Sequence, residues 1–338
     1  MLHGRRRAGV AAAAVLALAA CASPTGGAAA RPSGSTSSAH DAAANGSSAP
    51  SPTESPSESR SESPSPSSSP SPTTAQLPRG GTTLFPHYRL VGYAGGAGSA
   101  AFGRLGVGDI DARAREIERR AQALAGGRTP LPVFELITVV VHDTPGRNGL
   151  YNSRVSDAVI ARYLAAARRH RALLLLDIQP GRQDFLPLVK GLARWLEQPD
   201  VGLALDPEWA VEPGDVPGQT FGRMTGRELD SVAAYVDALV RRHHLPQKPL
   251  VFHQVAASVV VGQSALRERA GVVVIKSVDG IGSRRLKTAT WTTLVKHLPA
   301  PIHTGFKLFF DEDRRHGPMM TPQQVLALRP QPEYVLYE

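Results

Sequence analysis

From about Leu84 onward, short apolar runs alternate with amphipathic stretches to the end of the chain. The runs are nearly continuous in hydrophobic residues, as expected of parallel strands buried on both faces. They predict eight strands: Arg89–Tyr93, Phe134–Val141, Leu173–Ile178, Val201–Trp209, Leu250–Val255, Val272–Lys276, about Thr304–Phe310 and Tyr334–Tyr337. Between them lie segments with apolar residues at helical spacing. Phe185, Leu188, Val189, Leu192 and Trp195 form one such stripe, and Leu229, Val232, Val236, Leu239 and Val240 another. Asp109 or Asp111, Ser156 and Asp184 stand where helix caps belong, and Thr225 with Glu228 has the spacing of a capping box. Further helical pieces are expected around Ala265–Arg269, Thr288–His297 and Gln323–Leu328. The alternation predicts an α/β fold, a (β/α)8 TIM-type barrel over residues 83–338. The rival is an open doubly wound sheet. It is disfavoured because the glycine run after the first strand, GYAGGAG, is not followed at once by a helix.

The first 82 residues have a different composition. Arg5, Arg6 and Arg7 precede a short apolar run, Ala8–Ala20, which makes an export signal of residues 1–20. The run ends in Leu-Ala-Ala-Cys, which resembles the lipobox of bacterial lipoproteins. That resemblance implies lipid attachment at Cys21, the single cysteine of the chain, and anchoring on the extracellular face of the cytoplasmic membrane. Residues 21–82 are dominated by Ser, Pro, Ala, Gly, Thr and Glu. They lack the large apolar groups that offset chain entropy, so a disordered Ser/Pro-rich tether is expected.

Charge narrows the choice of partner. The formal net charge is +9, which suits anionic wall polymers. Nucleic acid is disfavoured: the clusters Arg168–Arg171 and Arg241–His244 fall at expected helix ends and are not interleaved with aromatics. No cofactor is expected, and a monomer is.

Candidate chemistry collects at the strand tips. These carry His142, Asp177, Gln179, Asp206, Glu208, His253, Gln254, Lys276, Asp279, Lys307 and Asp311. In a barrel those tips converge on one face, where an apolar core has no use for ionisable groups. Asp206 and Glu208, two apart, would share one side of an extended strand. The stretch Gly202-Leu-Ala-Leu-Asp-Pro-Glu-Trp209 resembles the fourth-strand motif D-G-x-D-x-D-x-E of family-18 chitinase-like glycoside hydrolases. Gly202, Asp206, Glu208 and Trp209 match, while Val201 and Ala204 replace two aspartates. The stretches Val91–Tyr93 and Ala172–Gly181 resemble the family's first and third strands, and the sixth-strand signature is missing.

The resemblance implies Glu208 as general acid, with Asp206 orienting a substrate acetamide or raising the acid's pKa. If the substrate does not assist, Asp311 or Glu312 is the expected partner. Tyr93, Trp209 and Phe309 are candidates for stacking on sugars. His142, Asp177, Gln179, His253 and Lys307 are candidates for binding a polysaccharide or peptidoglycan. Because two aspartates are replaced, a barrel that binds glycans without cleaving them is the second expectation. A metal-dependent hydrolase using His142, Asp177, Glu208 and His253 is the third, although no HxH or HExxH spacing supports it.

Overall fold

A computed structural model describes residues 75–338; the expected signal, Cys21 and most of the expected tether lie outside the described residues. Eight parallel strands form a closed barrel: β1 Tyr88–Gly95, β2 Thr129–Val141, β3 Leu173–Ile178, β4 Val201–Leu205, β5 Lys248–Gln254, β6 Val272–Val278, β7 Ile302–Leu308 and β8 Tyr334–Tyr337. Each pairs with its neighbours in sequence, and β1 closes the ring by pairing with both β2 and β8. The crossovers carry helices α1 Ile110–Ala123, α2 Asp157–Arg169, α3 Phe185–Gly191, α4 Ala193–Leu196, α5 Gly226–His243, α6 Arg284–Leu294 and α7 Pro322–Leu326.

Strand alternation divides the core in two. Val91, Phe134, Leu136, Leu174, Leu176, Leu203, Leu205 and Phe252 point outward and pack under the helices. Leu90, Leu131, Val133, Leu173, Leu175, Val251, Val273 and Ile275 point inward and fill the barrel. Leu77 and Leu84 join this inner cluster, so the folded domain begins before the expected boundary at residue 83. Arg79 reinforces that segment by pairing with Glu118 of α1 and donating to the Pro130 carbonyl. The interior is narrow. A Cβ on Gly202 would lie 2.7 Å from Leu175 Cδ2 and 2.7 Å from Pro249 Cγ.

Several local expectations are corrected. β2 starts five residues early and includes Pro130 and Pro132, which pair with Arg89 and Val91 of β1. No α-helix forms at Ala265–Arg269; a 3-10 turn at Gln263–Ala265 leads to β6, and Arg269 ties the connection to α5 through Asp230 at 2.6 Å. Asp109 caps α1, accepting from Ala112 N at 2.7 Å, and Thr225 with Glu228 forms the capping box of α5. Ser156 and Asp184 occupy N-cap positions without making a side-chain cap bond.

Candidate active site

Above the apolar floor, the same inward alternation turns polar. Glu135 follows Leu131 and Val133 on β2, Asp177 follows Leu173 and Leu175 on β3, and Asp206 follows Gly202 and Ala204 of β4. His253 follows Val251 on β5, Ser277 and Asp279 follow Val273 and Ile275 on β6, and Lys307 follows Gly305 on β7. Tyr334 faces inward on β8, and Glu338 reaches Lys307 just beyond it. One parity rule thus delivers a ring of ionisable groups at the C-terminal end of the strands.

β4 ends at Leu205, and Pro207–Trp209 is a 3-10 turn, so Asp206 and Glu208 do not share an extended strand. Asp206 keeps the inward direction of β4, while Glu208 comes to the ring from the turn. Trp209 is partly exposed on that turn. The loop Glu212–Gly222 folds back on it, and Gly222 N donates to the Glu208 carbonyl at 2.6 Å.

His253 is the hub and is wholly buried. Its Nδ1 lies 2.8 Å from Asp279 Oδ2, its Nε2 3.1 Å from Glu135 Oε1 and 3.9 Å from Asp206 Oδ1. Since a carboxylate only accepts, Nδ1 carries a hydrogen toward Asp279. Asp279 is fixed further by Ser277 Oγ at 2.8 Å and by Lys307 Nζ at 3.3 Å. Lys307 also pairs with Glu338 at 2.6 Å. Tyr334 donates to Glu135 Oε2 at 2.9 Å, and Gln179 donates to Asp206 Oδ2 at 3.1 Å. In the ring, three buried carboxylate oxygens are left without a hydrogen-bond partner: Asp177 Oδ1, Asp206 Oδ1 and Glu208 Oε2; Glu135 Oε1 and His253 Nε2 make none either but face each other at 3.1 Å. An unpartnered buried polar atom costs about 1–3 kcal/mol, so three such carboxylate oxygens in one place mark a site kept for something other than stability.

Burial and crowding set the charge states. Burial pushes the Asp177 carboxyl well above the ordinary aspartate value, and Asp206 and Glu135 push it the same way. Burial likewise drives Glu208 well up, with Asp206 and Asp279 adding to it. Asp206 is raised by burial in spite of His253 and Lys307. Asp279 is the exception: burial opposes its charge, but His253 and Lys307 outweigh burial and hold it below the usual carboxylate range. For His253 and Lys307 burial also opposes the charge, yet the surrounding carboxylates, Asp279 foremost, lift both well above their ordinary values. Acids held neutral beside acids held ionised is the arrangement that acid–base chemistry uses.

The structure gathers Asp177, Gln179, Asp206, Glu208, His253 and Lys307 from the expected set. It does not gather the others. Tyr93 points outward, where Arg120 Nε donates to its hydroxyl at 2.7 Å and Phe310 packs against its ring. His142 turns to Ser153 Oγ at 2.7 Å on the short strand Asn152–Arg154. Asp311 is exposed, and its side chain takes no part in the hydrogen bonds or ion pairs of the ring. Its neighbour Asp313 is the buried acid there, but it accepts from Gly282 N and Phe309 N and pairs with Lys287, a structural role. Glu135, Tyr334 and Glu338 were missed. Glu135 had a signal: it is an isolated acid within LPVFELITVVV, in phase with the inward-facing Leu131 and Val133.

No protein-family model matches the chain, and no curated protein matches it.

Proposed function

We propose that the barrel is a glycoside hydrolase acting on a cell-wall or extracellular polysaccharide, with Glu208 as proton donor. The observation that carries this reading is the convergence of unpartnered, buried Glu208, Asp206 and Asp177 oxygens in one polar cup closed below by packed apolar residues. In the proposed reaction Glu208 gives its proton to the glycosidic oxygen as the C–O bond breaks. Water supplies the hydroxyl to the anomeric carbon and returns a proton to Glu208. Where the sugar carries an acetamido group, that group is the first nucleophile and Asp206 orients it.

The resemblance to the chitinase-like motif left Ala204 without its aspartate. Asp177 stands level with Ala204 on the adjacent strand, in register across β3 and β4, and supports retention of acidic chemistry at that position. The net basic chain favours an anionic polymer such as peptidoglycan-associated glycan. Lipid on Cys21 would hold the protein on the outer face of the cytoplasmic membrane.

Turnover of chitin oligosaccharides and peptidoglycan fragments, read as new reducing ends, tests the assignment. Glu208→Gln is expected to lower the rate by about 10²–10⁴-fold while glycan binding persists. An unchanged rate overturns the role of Glu208, and wild-type binding without turnover identifies a glycan-binding barrel instead.

A further inference from the structure

We propose that the floor of this cup binds one divalent transition-metal ion, of the Mn2+ or Zn2+ class, through His253 Nε2, Asp177 Oδ1 and Asp206 Oδ1, with Glu135 Oε1 as a fourth donor. The argument begins with how each side chain is held. His253 is gripped at Nδ1 by Asp279, leaving Nε2 free. Asp206 is gripped at Oδ2 by Gln179, leaving Oδ1 free. Glu135 is gripped at Oε2 by Tyr334, leaving Oε1 free. In each case a neighbour occupies one polar atom and the other makes no hydrogen bond, although His253 Nε2 and Glu135 Oε1 lie 3.1 Å apart. This is the outer-shell pattern that orients metal ligands, and a carboxylate on the far nitrogen of a ligating histidine is its commonest form.

The spacing agrees. One ligand atom each from Asp177, Asp206 and His253 lies within 4.8 Å of the others, and all three residues are buried. Bonds of about 2.1 Å place ligand atoms roughly 3–4 Å apart, so closing on an ion needs shifts of under about 1 Å. The charge agrees as well. Among the described residues, the ion pairs made by Glu135, Asp177, Asp206, Glu208, Asp279 and Glu338 involve two basic groups, His253 and Lys307. Lys307 is committed to Asp279 and Glu338 at 3.3 and 2.6 Å. Asp177 pairs with neither His253 nor Lys307, and Asp206 meets His253 only at 3.9 Å, so these two carboxylates lack a close fixed cation of their own. A set of carboxylate oxygens with one imidazole suits a borderline ion better than Ca2+ or Mg2+, which prefer all-oxygen sites. The ligand set expected from the sequence for a metal-dependent hydrolase shares Asp177 and His253 with this one; His142 is turned away toward Ser153, and Asp206 and Glu135 stand in place of His142 and Glu208.

The ion's role, holding and polarising the attacking water, rests on the hydrolytic reading above; its binding does not, and is tested apart from activity. The mature full chain, stripped with chelator, is titrated with MnCl2 and ZnCl2, and with MgCl2 and CaCl2 for comparison. One equivalent of Mn2+ or Zn2+ is expected to bind and to raise the melting temperature. The wild-type Mn2+ complex is expected to show electron spin-echo modulation from a single imidazole nitrogen. Asp279→Asn, which loosens the hold on His253, is expected to weaken binding about 10–100-fold, and Asp177→Asn at least tenfold. Glu208→Gln is expected to bind the ion as wild type does, so loss of hydrolysis and loss of metal are separable. The proposal is overturned if neither ion binds at millimolar concentration, if only Mg2+ or Ca2+ binds, or if the Mn2+ complex shows no nitrogen modulation. The spectroscopic reading needs no variant, so a misfolded Asp177→Asn leaves the question decided.

Discussion

Lys248 shows what a single buried charge does to this fold. It begins β5, and its ammonium donates to the carbonyls of Gln198 and Val201 at 2.6 Å each. Burial lowers its pKa from the ordinary 10.5 to about 7, against weak support from Asp200. The unfolded chain therefore binds more protons than the folded one between those values, so this residue makes stability rise with pH from about 7 to about 10.5. The rise is at most about 1.4 kcal/mol per pH unit. Chemical denaturation at pH 7.5 and 9.5 should show wild type gaining on Lys248→Met as pH increases; a pH-independent difference would sink the idea. Similar parity arguments apply inside the barrel. Asp177, Asp206 and His253 could be placed from sequence because each ends an apolar run. Glu135 showed itself only as an isolated acid in an apolar run, and Tyr334 not at all, because what pairs them lies far away in sequence, as in the 199-residue separation of Tyr334 and Glu135.

At the scale of elements, the strands were legible because burial on both faces leaves an unbroken apolar signature. Connections were less so. The Ala265–Arg269 stretch lost its helix to a tertiary contact, the bond from Arg269 to Asp230 on α5, which no local pattern records. The early start of β2 was hidden by Pro130 and Pro132, since prolines usually argue against a strand interior. The extent of β4 was misjudged because two acids spaced by two residues fit a strand and a strand-plus-turn equally well. Inside β4, position 202 has no room for a side chain. Leu175 and Pro249 approach position 202 so closely that only glycine fits without movement. Gly202→Ala should cost about 1–3 kcal/mol through overpacking. It should be seen as a lower melting temperature of the full chain, and an unchanged value would show that β3 and β5 yield at this level.

At the scale of the whole molecule, the two ends of the barrel differ in kind. Leu77 and Leu84 seal the end where strands begin, and the ionisable ring occupies the end where strands finish. The described residues 75–84 therefore pack on the closed end, opposite the ionisable ring. Several acyl chains, each adding about 0.8 kcal/mol per buried methylene, would hold a protein on a bilayer far more firmly than one. Wild-type protein made in its native host should therefore sediment with membranes, and Cys21→Ser should shift it to the medium or leave it unprocessed. Mass spectrometry of the wild-type N-terminal fragment should find Cys21 as the first residue carrying acyl groups. Wild-type protein free in the medium, with an unmodified Cys21, would remove the anchor and leave the barrel to find its polymer by charge alone.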